Sequence, residues 1–257
     1  MEKLIIVIPA HNEERRIGQT IKEYLDFFKK LKKISVEIIV VLNACSDRTK
    51  EVVQKYKRKE LKILEFKRGG KGFAVLEGFK EALRNKADII GFVDADMATT
   101  PADYYHLYKS LGNNDGVIAD RYISGAILNP KPTLQRRIFS RMYNSVIRAM
   151  FMLPYRDTQC GAKLFKRQAV ESIISKIGMT KWAFDVELIY KMTKSGFHIK
   201  PVATVWSDKE YSTVNVLSAG PMMVLGIVRL RILHSPFRRA IRVYDFLAES
   251  IRKIVKK

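Results

Sequence analysis

Five short apolar runs rich in β-branched residues recur along the first half of the chain, at positions 4–8, 36–42, 61–66, 89–93 and 117–119, with longer stretches of helical pattern between them. Runs of this length bounded by polar turns read as strands, and strands alternating with helices pair in parallel through helical crossovers. Parallel strands covered by helices on both faces are apolar throughout. LIIVI at 4–8, VEIIVVL at 36–42 and DIIGFV at 88–93 fit the middle of such a sheet. The expected fold is therefore α/β, with a mainly parallel central sheet flanked by helices. A chain of 257 residues supplies one such core, because single cores stop growing near ~250 to 300 residues.

Ligands of open α/β sheets bind beyond the carboxyl ends of the strands. The residues just past each strand are therefore expected to line the cleft: Pro9-Ala10-His11-Asn12-Glu13, then Asn43-Ala44-Cys45-Ser46-Asp47, then Arg68-Gly69-Gly70-Lys71-Gly72, then Asp94-Ala95-Asp96. Asp94 and Asp96 place two carboxylates at a strand end, where a cation relieves their repulsion. A hard divalent ion such as Mg²⁺ or Mn²⁺ is commonly held by one or two carboxylates together with substrate phosphates. A helix-capping turn before Pro101 uses the same residues and stands beside that reading. The glycine loop offers backbone N–H groups, two cations and a helix N-terminus, which make an anion cradle. It lacks the G-x-x-x-x-G-K-[ST] pattern, which argues against a P-loop nucleotide hydrolase.

Residues 121–156 contain no acidic residue and seven Lys or Arg, and residues 211–244 again contain none. The whole chain carries 47 basic and 26 acidic side chains, a formal charge of +21, which favours a polyanionic neighbour. Two cysteines, Cys45 and Cys160, exclude a disulfide framework and a four-cysteine metal site. His11, His106, His198 and His234 lack metal-ligand spacing. The amino-terminal residues show no secretion signal, and the most apolar window, 214–228, is interrupted by Asn215, Gly220 and Pro221 and ended by Arg229. No transmembrane helix is expected.

Four motifs in this order and spacing, VIPAHNEE (7–14), VVLNACSDRT (40–49), RGGKGFAVLEGF (68–79) and DADMATTP (94–101), resemble the nucleotide-sugar half of family 2 glycosyltransferases of the GT-A fold. Downstream, RDTQCGAKLF (156–165) and WAFDVELIY (182–190) resemble dolichyl-phosphate glucose synthases, and ADRYISG (119–125) with Ser140, Arg141 and Asn144 is similar to dolichyl-phosphate mannose synthases. The resemblance covers about residues 4–231. Together with the change of composition after residue 120 and the acid-free run from 211, it gives an expected GT-A domain at 1–210, divided into a nucleotide-sugar half (1–120) and an acceptor half (121–210), followed by a basic amphipathic segment at 211–257, whose end has no counterpart in the resemblance. It assigns Pro9, Ala10, Asn12 and Glu13 to the nucleoside, Lys71 to the diphosphate, and Asp94, Ala95 and Asp96 to the metal and diphosphate, with Asp96 as the direct ligand. Where this chain has Asn43, the family usually has Asp facing the base. An amide both donates and accepts, matching the edge of uracil, whereas guanine's paired donors favour a carboxylate. Asn43 therefore points to a UDP-sugar, with a turn residue tolerant of unusual dihedrals as the equal structural reading, Glu13 and Asp47 as the other groups able to read the base and GDP-mannose as the alternative donor.

The expected acceptor is dolichyl or another polyprenyl phosphate. A hydroxyl acceptor requires a general base, whereas a phosphate monoester is already anionic at neutral pH and requires cations instead. Arg121 matches the family's acceptor-side arginine, and Arg137, Arg141 and Arg148 recur four and seven residues apart. Leu134, Ile138, Met142, Val146 and Met150 form an i, i+4 stripe beside them, either a core-packing face or an interfacial membrane helix. Met222, Met223, Val224, Leu225, Ile227 and Val228, giving way to Arg229, Arg231, Arg238, Arg239 and Arg242, repeat the combination. Both segments suit an anionic membrane surface, which places the protein peripherally on the cytoplasmic face. Asp157, Gln159, Lys163, Trp182 and Asp185 are expected to shape the sugar and acceptor pocket. Asp96, Arg121 and Asp185 are the expected catalytic residues, Asp185 being the base if the acceptor is a hydroxyl. A nucleic-acid partner is not expected, because no such motif is present and the strand-end motifs would be left unexplained.

Overall fold

The computed structural model describes residues 1–56, 58–178, 183–207 and 216–255. Among them the elements run β1 (Glu2–Ala10), α1 (Ile17–Phe28), β2 (Ile34–Asn43), α2 (Thr49–Gln54), β3 (Leu61–Phe66), α3 (Lys71–Arg84), β4 (Ile89–Val93), α4 (Pro101–Ser110), β5 (Gly116–Asp120), β6 (Ile127–Asn129), α5 (Leu134–Phe151), β7 (Ala162–Lys166), α6 (Arg167–Ile173), α7 (Phe184–Lys194), β8 (Ile199–Ala203), β9 (Val205–Ser207), α8 (Val216–Leu233) and α9 (Ile241–Val255). Seven strands form the main sheet in the order β3-β2-β1-β4-β7-β5-β8, and β6 pairs with β9 in a small parallel flap. The five expected strands all lie in the main sheet.

Successive residues of the central strands enter two different cores, which is why those strands are apolar at every position. Ile5, Val7, Ile90 and Phe92 pack with α3, α6, α7 and the buried sides of α5 and α8, whereas Leu4, Ile6, Ile8 and Ile89 pack with α1 and α4. Close approach of α3 to the sheet depends on Gly78, where an added Cβ would lie 2.3 Å from Val7 Cγ1. Thr100 caps α4 by accepting from the Asp103 N–H, with Pro101 at the first helical position. The capping turn and the Asp94–Asp96 strand end are thus neighbouring features that coexist.

β7 runs antiparallel between β4 and β5, with Val93 opposite Ala162 and Ile118 opposite Lys163. Its direction is set by the preceding loop, residues 152–161, which delivers the chain to the carboxyl ends of β4 and β5. The strand order reverses around β1, whose neighbours are β2 and β4. A cleft opens at the carboxyl edge of such a switch point.

The expected boundary near residue 210 lies outside the described residues. α8 contributes Ile227 and Leu230 to the same core as Tyr143 and Ile147 of α5, and the Tyr143 hydroxyl donates to Met223 O. α9 folds back on α8 through the Arg229–Asp245 ion pair at 2.8 Å and the Tyr244 hydroxyl donating to Leu225 O. α5 buries Tyr143, Asn144, Ile147 and Phe151 and leaves the Leu134, Ile138, Met142 and Val146 stripe in solvent, with Leu134 62% and Met142 57% exposed. The core-packing face of α5 is therefore a different one from the stripe picked out by the sequence. The second expected stripe is corrected: Met222, Met223, Leu225 and Val228 are half-buried and Ile227 is in the core, because α8 packs on α5, leaving Val224 exposed. Among the described residues the other exposed apolar side chains of the carboxyl-terminal helices are Val243, Phe246 and Leu247 of α9.

Candidate active site

The first two strand ends are laced together by the side chains expected to meet the nucleoside. Asn12, at φ 56°, accepts from the Ser46 N–H at 2.8 Å. The Glu13 N–H donates to Thr49 Oγ1, and its carboxylate is held by Arg16 at 2.7 and 2.8 Å. Burial raises the Glu13 carboxyl above its ordinary range despite that arginine. Asp47 accepts from the N–H groups of Glu14 and Thr49 and from the Thr49 hydroxyl. Burial works against its charge, yet these donors hold it below the usual carboxylate range. Asp47 is thereby occupied as the brace of the α2 turn.

The expectation that the Asn43 side chain faces a base is corrected by its geometry. Asn43 is buried, its amide nitrogen donates to Ala10 O at 2.8 Å, and its amide oxygen accepts from the Gly70 N–H at 2.9 Å. One amide N–H and the amide oxygen thus join β1 to the glycine loop, and the His11 ring nitrogen meets Asn43 O at 2.8 Å. Pro9 and Ala10 end β1 beside this junction.

Lys71 opens α3 immediately after Gly70, whose φ of 128° lets the loop turn tightly. Its ammonium lies 2.7 Å from Asp94 Oδ1 and 3.6 Å from Asp185 Oδ2. Asp185, in the first turn of α7, is paired on its other oxygen with Lys163 Nζ at 2.6 Å. Lys163 is fully buried and also donates to Cys160 O at 2.5 Å. It is a buttress of Asp185, which corrects the expectation that it lines an open pocket. Burial opposes ionisation of Asp185, but Lys163 and Lys71 outweigh it and hold the carboxyl below its ordinary range. Burial drives Asp94 the other way, above its ordinary range, reinforced by Asp96 and Asp185 although Lys71 counters it. Gly161 presses on this carboxylate so closely that a Cβ there would sit 1.7 Å from Asp94 Oδ2. Asp96 accepts from the Ala98 N–H at 3.0 Å, and Ala95 O is anchored by the Thr20 hydroxyl at 2.7 Å.

Arg121 follows β5, two strand positions from β4, which at ~4.8 Å per position is about 10 Å across the sheet edge. The Asp96 turn and the Arg121 region are tied together, since Ser207 of β9 donates to Ala98 O at 3.0 Å while Trp206 beside it lies 5.3 Å under the Arg121 guanidinium. Arg121 is locked by Asp157, fully buried, through Nε at 2.6 Å, a terminal nitrogen at 3.1 Å and the backbone N–H at 3.2 Å. Burial pushes the Asp157 carboxyl up, and Arg121 more than reverses this. Gln159 donates to the Thr158 hydroxyl, and burial pushes the Cys160 thiol up to about 12, which leaves it inert.

A small hollow beside Arg121 is lined by Tyr122, Leu128, Arg136, Arg137, Ser140 and Trp206. Arg136, which the stripe spacing passed over in favour of its neighbour, stands 5.7 Å from the centroid of a Trp206 ring. Arg137 borders the hollow, whereas Arg141 is exposed and reaches the Tyr122 ring at 6.0 Å. Trp182 lies outside the described residues. Glu187 is buried and accepts from the Gly178 N–H, with the His234 ring at 3.3 Å, so it braces α7 against α8. Among the described residues no three His, Cys, Asp or Glu side chains gather into a group that could hold a metal ion.

The family model for glycosyl transferase family 2 matches residues 5–174. The chain belongs to that family. The dolichyl-phosphate beta-glucosyltransferase of Dictyostelium discoideum is 29% identical to this glycosyltransferase over 243 residues, covering 89% of this chain and 73% of that one. The human protein of the same name is 31% identical over 229 residues, covering 82% and 69%. Among solved structures, glucosyl-3-phosphoglycerate synthase from Mycobacterium tuberculosis, crystallised with Mn²⁺, UDP and glucosyl-3-phosphoglycerate, superposes with a TM-score of 0.65 at 16% identity, covering 91% of this chain and 79% of that one. That likeness establishes the GT-A architecture of the glycosyltransferase. The matched span contains Asp94, Asp96, Arg121, Asp157 and Lys163, and Asp185 lies beyond it.

Proposed function

We propose that this glycosyltransferase moves glucose from UDP-glucose to the phosphate of dolichol or another polyprenol, in a single displacement that inverts the anomeric carbon, at the cytoplasmic surface of a membrane. The lipid phosphate and the hexose follow the relatives named above, and with the Asn43 amide turned inward uridine rests on the resemblance to dolichyl-phosphate glucose synthases alone.

The observation that carries the choice of acceptor is the state of Asp185. Deprotonating a sugar hydroxyl requires a base of suitable pKa within reach of the proton. Asp185 has an ammonium group against each of its oxygens and titrates below its ordinary range, so it is a poor base. A phosphate acceptor, whose second pKa is about 6, arrives already ionised. What it needs is positive charge, and Arg121 provides it. Asp157 engages two of the side-chain N–H groups of that guanidinium, leaving others of its five for an anion, and Arg136 and Arg137 border the same hollow.

Asp94 and Asp96 fit a divalent cation: two carboxylates at one strand end, one of them already drawing an ammonium group. Mg²⁺ or Mn²⁺ held there would neutralise charge on the departing diphosphate. Lys71 and the N–H groups of the glycine loop would face the same phosphates.

Membrane binding is supported by the exposed stripes of α5 and α9, flanked by Arg137, Arg141, Arg148 and Arg242. No helix among the described residues is long and apolar enough to cross a membrane, so these helices would lie in the interface.

A panel of nucleotide sugars offered with a short polyprenyl phosphate, and in parallel with the matching polyprenol, tests the proposal with and without Mg²⁺ or Mn²⁺. Metal-dependent transfer from UDP-glucose to the phosphate alone is expected. Equal transfer to the alcohol would refute the acceptor argument.

A further inference from the structure

One of the two carboxylates expected to meet a divalent ion is already paired with a lysine. The Lys71 ammonium sits 2.7 Å from Asp94 Oδ1, with Asp185 Oδ2 at 3.6 Å and the Phe92 ring 5.3 Å below it. Gly161 closes the other side of Asp94, where even a Cβ would collide with Oδ2, so the carboxylate has little room to turn towards a second cation. Lys163 holds Asp185 in place from beneath. The protein has therefore filled the Asp94 position with its own cation.

We infer that Lys71 is an internal cation lock: it keeps divalent metal off Asp94 until the donor's diphosphate draws the ammonium away. This inference rests on the reading of Asp94 and Asp96 as metal ligands, and it assigns Lys71 an exclusion role in addition to phosphate binding. The exchange is one of partners, with no covalent step. A lysine suits it because its ammonium is a compact charge on a flexible four-carbon stem with three rotatable donors. Asp185, at 3.6 Å, remains as a tether while the ammonium moves from Asp94 to phosphate, and is therefore a positioning residue. Mg²⁺ sheds its water reluctantly and must displace an ion pair to reach Asp94, so metal alone is disfavoured. Metal arriving with a diphosphate meets a carboxylate already released. By linkage, any change that removes Lys71 from Asp94 raises metal affinity, and couplings of this kind are typically about 5- to 150-fold.

The test measures binding of Mn²⁺ alone to the full chain, by the electron paramagnetic resonance signal of the free ion, and then repeats it with UDP. Lys71→Met should bind Mn²⁺ without nucleotide about tenfold or more tightly than the unaltered protein. Lys71→Arg, which keeps a cation at the position, should stay near the unaltered value. Arg68→Met removes a cation of the same loop whose guanidinium lies over the Phe73 ring, and should shift Mn²⁺ binding less than about twofold, the screened effect of a nearby exposed charge. If Lys71→Met leaves nucleotide-free Mn²⁺ affinity unchanged, or if Arg68→Met raises it equally, the lock is refuted. Lys71→Gln serves the same comparison if the methionine variant fails to fold. If Mn²⁺ fails to bind any variant even with UDP, the metal reading of Asp94 and Asp96 fails, which is a separate result.

Discussion

Replacing Asp157 by alanine removes the partner of Arg121 from a site where the carboxylate is fully buried and the arginine side chain is 16% exposed. Three hydrogen bonds from Arg121 and one from the Gln159 N–H at 3.1 Å disappear together. Breaking a buried pair from one side costs about 3 to 5 kcal/mol, because the remaining charge stays desolvated. For a chain of this length about 1 kcal/mol corresponds to ~2 °C in Tm, so a fall of about 6 to 10 °C is expected by thermal denaturation. The same substitution frees the guanidinium from its fixed plane, and KM for the polyprenyl phosphate should rise about tenfold or more, the value of one well-placed charge-assisted contact. The double variant Asp157→Leu with Arg121→Met separates the two effects. Exchanging a buried pair for apolar side chains is often neutral for stability, so much of the Tm should return while transfer stays lost. Acid titration supplies a sign. Because the folded Asp157 titrates below its unfolded value of about 3.9, its contribution is complete above that pH and is lost as pH falls through the lowered folded value. A Tm change under about 2 °C for Asp157→Ala, with KM unaltered, would refute this account of Arg121.

Asp185→Asn keeps an acceptor for Lys163 and should lower kcat by less than about 100-fold, the least expected when a general base is lost; steady-state kinetics on polyprenyl phosphate decides it. Since Asp185 titrates below its ordinary range, the kcat profile between about pH 5.5 and 8 should carry no limb that this substitution removes, taking ~4 as the ordinary carboxylate pKa. Gly161→Ala drives a methyl group into Asp94 and should cost about 1 to 3 kcal/mol of stability by overpacking, together with most of the transfer activity, read by denaturant titration and by turnover. Ile138→Glu together with Phe246→Glu, both at exposed positions, should leave Tm within ~2 °C yet abolish flotation with anionic liposomes; continued flotation would place the membrane contact elsewhere.

The site was legible in the sequence to the extent that it depends on strand ends. Asp94, Asp96 and Lys71 follow directly from where apolar runs stop, because in a parallel sheet every carboxyl end faces the same edge. The stripe on α5 was also legible as a pattern, but its direction was not: Ile147 and Phe151 lie on the core side and Ile138 and Met142 in solvent, and helical spacing alone cannot say which apolar face meets the protein. Arg136 was missed for the same reason, since only the tertiary structure brings its guanidinium and that of Arg121 to 5.7 and 5.3 Å from the Trp206 ring.

Local chemistry along the chain thus determined the strands, the glycine-rich turn into α3 and the acidic strand end, since each depends on residues adjacent in sequence. The tertiary structure alone decided which charges are spent on one another. Asn43 turns inward because Ala10 O and the Gly70 N–H converge on it, and Lys163 disappears beneath Asp185 because β7 runs antiparallel. Lys71 meets Asp94 because α3 begins at the edge where β4 ends. These partners lie 22 to 33 residues apart, and a charge's partner is set by distance in space, which the order of residues does not encode.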